Sequence, residues 1–241
     1  MANTKRHDGR RVNELRCVRI TPDFSRTADG SCLMEMGNTR VICTASVVRG
    51  VPKWLEGKGA GWVTAEYAML PASTPGRKRR ATGKPDSRGV EIQRLVGRAL
   101  RGVVRMEALG ANTIYIDCDV LDADGGTRTA SITGAYVALA RALRATSAEG
   151  VNAKRALTGP IAAVSVGMVD GRAVLDLDYV EDSSADVDMN VAMVRGGKFV
   201  EVQGTSEGKA FDMDDLEKML SLARGGIKKL MQAQKDAIIL A

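Results

Sequence analysis

Two stretches of this sequence combine residue types suited to handling phosphate. In ADGGTRTASITGAYVALARAL, residues 123 to 143, a strand ends, two glycines follow, and a Thr/Ser-rich stretch opens a helix. Backbone N–H groups at Gly125 and Gly126 can approach an anion closely, the helix start supplies unpaired donors and positive potential, and Arg128 adds a guanidinium fork. Thr127, Thr129 and Ser131 add hydroxyls. The same residues also suit a plain structural role, with Thr129 or Ser131 capping the helix and the glycines making a turn. No Gly-Lys-Ser/Thr follows at the Walker spacing, which argues against ATP or GTP hydrolysis.

The second stretch is DLDYVEDSSADVDMN, residues 176 to 190, which carries Asp176, Asp178, Glu181, Asp182, Asp186 and Asp188. Carboxylates this dense repel one another unless a cation or solvent relieves them. Magnesium suits such a site, because it takes oxygen ligands and commonly uses one or two carboxylates together with water and substrate phosphates. A solvated acidic turn is the alternative, but apolar Val180, Met189 and Val191 anchor the ends of the segment. A third element, SRGVEIQRLVGRALR at 87 to 101, places Arg88 just before a helix and Arg94, Arg98, Arg101 and Arg105 along one of its faces. Salt bridges account for some of these arginines, and phosphate recognition is open to the rest.

Composition limits the alternatives. His7 is the only histidine and lies in a charged N-terminal stretch, where a surface role is expected. Histidine acid–base catalysis and Ser/His/Asp triads are therefore poor candidates. Cys17, Cys32, Cys43 and Cys118 form no CxxC pair, so neither a zinc site nor a disulfide framework is indicated. The net charge of +6 suits a polyanionic partner. The start MANTKRHDGRR has no signal-peptide core and no apolar run is long enough to cross a bilayer, which predicts a cytoplasmic protein.

Local pattern then supplies the elements that would position these residues. Gly37-Asn38 and Asp170-Gly171 each divide two apolar runs, predicting hairpins over 31–47 and over 161–169 with 172–180. TIYIDCDV alternates apolar and polar residues as a strand with one buried face would. Helical spacing of apolar residues predicts helices over 90–105, 130–145 and 213–238, the last weakened by Gly225-Gly226. Residues 72–89, rich in Pro, Gly, Ser and basic side chains, predict a long exposed loop. The expected architecture is α+β with mixed sheets and two similarly built halves, forming one domain over residues 1–241.

Taken together, GWVTAEYAMLP at 61–71, RGVEIQRLVGRALR at 88–101, DCDVLDADGGTRTASITGAYVALA at 117–140, YVEDSSADVDMNV at 179–191 and VEVQGTSEG at 200–208 resemble the bacterial ribonuclease PH family. The similarity runs from RHDGRRVNELR to LARGGIKKL, nearly the whole chain. The resemblance implies two βαβα-like halves related to a domain of ribosomal protein S5, and a homohexameric ring built as a trimer of dimers. It implies phosphorolysis, in which inorganic phosphate removes the last nucleotide of an RNA as a nucleoside diphosphate. Precursor tRNA 3′ ends would be the main substrate, and the reverse reaction would add nucleotides. By motif, Arg88, Gly126, Thr127 and Arg128 would bind phosphate, while Asp182 and Asp188 would be catalytic and hold Mg2+. Arg77, Arg79 and Arg80 resemble the family's RNA-contacting loop. A non-catalytic RNA-binding ring subunit is the main rival, but it would not need both the aspartate pair and the phosphate-binding arginines.

Overall fold

A computed structural model describes residues 6–80 and 86–239. Two hairpins seed its two sheets. β1 (Val18–Pro22), β2 (Gly30–Met36) and β3 (Thr39–Arg49) run antiparallel, with Gly37-Asn38 as the tight turn between β2 and β3. β4 (Trp62–Met69) and β5 (Asn112–Asp122) complete a sheet of order β1-β2-β3-β5-β4, in which β4 lies parallel to β5. A parallel neighbour needs a long crossover, and α1 (Ser87–Arg101) supplies it while packing on β4.

The second hairpin joins β6 (Ile161–Val169) to β7 (Arg172–Leu175), and β8 (Val187–Val194) and β9 (Lys198–Ser206) extend an antiparallel sheet of order β7-β6-β8-β9. Between the two sheets runs α2 (Thr127–Ala145), which touches β2, β3 and β5 on one side and β6 on the other. Fifteen of its 19 residues are buried, which explains why the sequence offers small residues all round it instead of one polar face. Under this helix Cys32, Cys43 and Cys118 stand side by side in register across β2, β3 and β5. α5 (Met213–Ile239) covers the second sheet against β6 and β7. Its buried Gln234 donates to the carbonyls of Thr133 (2.9 Å) and Ile161 (2.8 Å), tying α5 to α2 and β6 at once. Gly226 does not break this helix. It allows close approach, since a Cβ there would sit 2.8 Å from Leu175 Cδ1.

Three expectations change. The second arm of the later hairpin stops at Leu175 instead of 180, because Asp176 adopts a left-handed φ of 57° that no strand can continue through. The chain then enters α4 (Tyr179–Asp182). The basic loop is also shorter than predicted: Ser87, Arg88 and Gly89 already belong to α1, Ser73 is buried, and 81–85 lie outside the described residues. Finally, α1 ends at Arg101, so Arg105 lies beyond the helix and off its predicted arginine face. Arg101 donates to the Val63 carbonyl at 3.0 Å and stacks over the Trp62 ring at 4.6 Å, and Arg98 faces Glu201 at 3.7 Å.

Candidate active site

The start of α2 has the properties of an anion site. Gly126 is its N-cap residue, in a left-handed conformation, and no side chain caps the helix end. Thr129 and Ser131 do not take that role: Thr129 Oγ1 donates back to the Gly126 carbonyl (2.9 Å) and Ser131 Oγ to the Thr127 carbonyl (2.8 Å). Of the two roles open to this stretch, helix capping by these hydroxyls is thereby set aside, and the N–H groups of the first turn remain available to a ligand. Arg128 is braced from the side, where Nη1 meets Gln203 Oε1 at 2.9 Å and Glu91 at 3.5 Å, and Gln203 itself donates to Glu91 at 3.1 Å. Thr127 Oγ1 is hydrogen-bonded to Tyr67 Oη at 2.9 Å.

Arg88 stands on the exposed first turn of α1, and its charge reaches both Tyr67 and Asp182. Burial raises the Tyr67 phenol above its ordinary range, against its bond to Thr127 and the nearby charges of Arg88 and Arg128. Asp182 feels the same two arginines. Loss of solvent and then the like charge of Asp188 push its carboxyl above the usual carboxylate range, Arg88 and Arg128 oppose the shift, and Glu207 adds to it. The start of α1, the start of α2, the end of α4 and β8 therefore converge, joining Arg88, Thr127, Arg128, Asp182 and Asp188.

A short helix places Asp182. In α4, Asp178 accepts from the Glu181 N–H (3.1 Å) and Glu181 accepts from the Asp178 N–H (3.3 Å), a reciprocal capping box that the Asp-x-x-Glu spacing encodes. Asp182 follows at its last position. Asp188 sits on β8 opposite Gly167 and Thr205. Asp186 lies at the edge of the same region, its carbonyl accepting from Glu207 N–H at 3.1 Å.

Sequence reasoning missed the N-terminal arginines. Arg6, Arg10 and Arg16 are all buried and consume the first half of the acidic stretch. Arg6 forks onto Glu181, with Nε to Oε1 at 2.6 Å; Arg10 reaches Asp178 at 3.4 Å and Glu181 at 3.5 Å; Arg16 Nη2 meets Asp176 Oδ1 at 2.7 Å. Removing one partner of such a buried pair costs about 3–5 kcal/mol. Arg10 also occupies both Asp8 oxygens, so the His7–Asp8–Asp178 group, where His7 Nε2 lies 2.7 Å from Asp178, is committed to this ion-pair network. No local periodicity signals these pairs. The only hint was four arginines in the eleven residues 6–16, three of which face surplus carboxylates 160 or more residues away.

Arg77, Arg79 and Arg80 are exposed on the loop that follows β4. Arg80 comes within charge range of Asp119, whose carboxyl is raised by burial and by Asp117. Lys78 points inward to Asp86 at 2.6 Å, at the start of α1, and its bond holds the Asp86 carboxyl below the usual range. None of the helices is long and apolar enough to cross a membrane among the described residues.

Comparison with known proteins identifies the fold and the family. Rice (Oryza sativa) Rrp46 superposes with a TM-score of 0.79 at 16% identity over 97% of this chain and 100% of that one. The Archaeoglobus fulgidus exosome with RNA bound to the active site gives 0.79 at 24% identity over 95% and 92%. These likenesses establish the fold. In sequence, ribonuclease PH of Neisseria meningitidis serogroup C is 53% identical over 234 residues, 96% of this chain and 97% of its own length. Residues 14–144 match domain 1 and residues 159–226 match domain 2 of the 3′ exoribonuclease family, and the chain belongs to that family.

Proposed function

We propose that inorganic phosphate binds at the start of α2, held by Arg88, Gly126, Thr127 and Arg128, and that Asp182 and Asp188 form the catalytic, magnesium-holding pair facing it. The chain is a phosphorolytic 3′-to-5′ exoribonuclease that trims precursor tRNA 3′ ends and adds nucleotides in reverse. The observation that carries this reading is a helix N-terminus left uncapped by side chains, whose Arg128 acts together with Arg88 on the charge of Asp182.

The donor set fits a hard dication. Asp188 and Glu207 both raise the Asp182 carboxyl, so a cation bound there relieves repulsion, and the ligand atoms are all oxygen. Bound magnesium would supply neutralisation of the charge developing on the phosphodiester and the departing 3′ oxygen. The remaining work falls to the chain. Arg128, braced by Gln203 and Glu91, and Arg88 hold phosphate in line with the last linkage, and fixed orientation supplies much of the rate. A phosphate oxygen bonds to the terminal phosphorus as the bond to the preceding 3′ oxygen breaks, that oxygen takes up a proton, and a nucleoside diphosphate leaves. The attacking group is already anionic, so no histidine is needed.

Arg77, Arg79 and Arg80 belong in this reading to a track for the body of the RNA, and the protein works in the cytoplasm as a homohexamer, a trimer of dimers. Because the aspartates come from α4 and β8 and the phosphate donors from α1 and α2, residues 1–241 act as one unit in this reading. Release of nucleoside diphosphates from RNA, followed with and without added phosphate, tests the reading. Release of nucleoside monophosphates without phosphate would make the protein a hydrolase, and no release of either nucleotide would favour a non-catalytic RNA-binding ring subunit.

A further inference from the structure

We propose that the Arg16–Asp176 pair is a positioning device that locks the phosphate loop, residues 124–126, to the segment carrying Asp182. This goes one step behind the proposed phosphate site and rests on it.

Asp176 is wholly buried, with left-handed φ of 57°, and every polar atom it has is engaged. Its carboxylate accepts from Arg16 three times: Oδ2 from the backbone N–H (2.8 Å) and from Nε (3.1 Å), and Oδ1 from Nη2 (2.7 Å). Its carbonyl accepts from Arg6 and from Arg10, both at 2.9 Å, and its N–H donates to the Ser165 carbonyl at 2.7 Å. The far side of the same Arg16 guanidinium turns to the phosphate loop, with Nη1 donating to the Asp124 carbonyl and Nη2 to the Gly125 carbonyl at 3.5 Å. One planar cation thus joins the turn before α2 to the turn before α4, and only a fork of fixed geometry can serve both ends.

Two further contacts close the loop from other directions. Thr39 Oγ1 donates to the Gly125 carbonyl (2.7 Å) and accepts from the Asp124 N–H (3.0 Å), while the Tyr179 N–H reaches Asp124 Oδ1 at 3.3 Å. Holding Gly125 and Gly126 fixes where the first N–H groups of α2 point, and Asp176 stands six residues before Asp182. Arg16 touches neither phosphate nor RNA in this arrangement. It orients the groups that do, as partners behind the ligands of a bound ion do.

The test uses the full chain and inorganic phosphate as the probe. Asp176→Asn removes the charge while keeping a residue that tolerates the left-handed conformation, and Arg16→Lys keeps the charge but loses the fork. Each is read by the phosphate concentration that half-saturates its thermal stabilisation, by the phosphate KM, and by RNA affinity. The expected result is a half-saturating concentration and a KM raised roughly ten- to hundredfold, with RNA affinity within about twofold of the original. Lower melting temperature with unchanged phosphate half-saturation would reduce the pair to a structural brace and overturn the proposal. If Asp176→Asn does not fold, Arg16→Lys decides by the same two outcomes; should it also fail, Thr39→Val, which loosens the same loop without touching a charge, replaces it, and unchanged phosphate half-saturation there overturns the proposal. A wild-type protein showing no stabilisation by phosphate would instead refute the phosphate site itself.

Discussion

Gly125→Ala tests the contact between the phosphate loop and the aspartate segment most directly. Gly125 has φ of 72°, and a Cβ on it would lie 2.7 Å from Asp178 C and Leu177 O and 2.9 Å from Asp178 Cα. These are backbone atoms leading into α4, anchored by the capping box and by Arg10, so they cannot rotate aside. The left-handed conformation costs an alanine about 1–2 kcal/mol, partly offset by about 0.4–1 kcal/mol from a stiffer unfolded chain. The clash adds an overpacking cost of about 1–3 kcal/mol. Gly171→Ala is the control, because Gly171 has nearly the same φ, 70°, with nothing within 4 Å of its Cβ position. The steric part is the difference between the two variants. At about 2–4 °C per kcal/mol for a chain of this size, Gly125→Ala should melt about 2–12 °C below Gly171→Ala. Relief of the clash moves the start of α2 away from Asp182, and a displacement on the order of 1 Å costs about a hundredfold in rate. Thermal melts at matched protein concentration and phosphate-dependent nucleoside diphosphate release measure both effects. Equal melting temperatures with full activity in Gly125→Ala would refute the tight coupling of loop and α4.

Asp182→Asn and Asp188→Asn should each fold yet lose most phosphorolysis and synthesis alike, since both directions share one transition state; near-normal activity removes that residue from catalysis. Asp182 also carries a pH signature. Its folded carboxyl is raised above the ordinary carboxylate range, so folding favours the protonated form, and its charge lowers stability as pH climbs from the unfolded pKa through the folded one. Without magnesium, Asp182→Asn should therefore melt above wild type at neutral pH, with the gap closing toward about pH 4; a lower melting point at neutral pH contradicts the assignment. Arg88→Ala should raise the phosphate requirement strongly and leave RNA binding mostly intact, and the reverse pattern would move Arg88 to the RNA track. Neutralising Arg77, Arg79 and Arg80, with Lys78 kept because it holds Asp86, should flatten the salt slope of precursor tRNA binding by roughly one to three. Short single-stranded RNA should be degraded at a nearly unchanged rate, and equal loss on both substrates would place the loop at the catalytic end.

Local signals made much of this architecture legible. Gly37-Asn38 and Asp170-Gly171 turn where two-residue hairpin chemistry places them, and the alternation of β5 matches its buried face. The apolar stripe of α1 was readable, but its start was not, because Ser87, Arg88 and Gly89 carry loop-like residue types and helix geometry there follows from packing against β4. The parallel pairing of β4 with β5 left no local trace. Nor did the bracing of Arg128 by Gln203 and Glu91, or the bond of Tyr67 to Thr127, since each depends on elements brought together only in three dimensions.

The acidic stretch shows why a charge run resists reading from sequence alone. Six carboxylates between 176 and 188 invite a single cation site, yet the fold divides them by what faces each one. Among the described residues, the close pairs of this stretch involve Asp176, Asp178 and Glu181, and their partners are Arg6, Arg10, Arg16 and His7. Those arginines hold the N-terminal segment against the turn before α4, so their carboxylates are spent on architecture. Asp182 and Asp188 instead lie within charge range of each other, and partial loss of solvent and the charge of Asp188 keep Asp182 raised. A carboxylate satisfied by a buried guanidinium has little left to offer a metal ion, whereas one held in an unfavourable charge state gains by binding it. Proximity in sequence cannot separate the two groups; the identity of the partner, set 160 or more residues away for the first group, can.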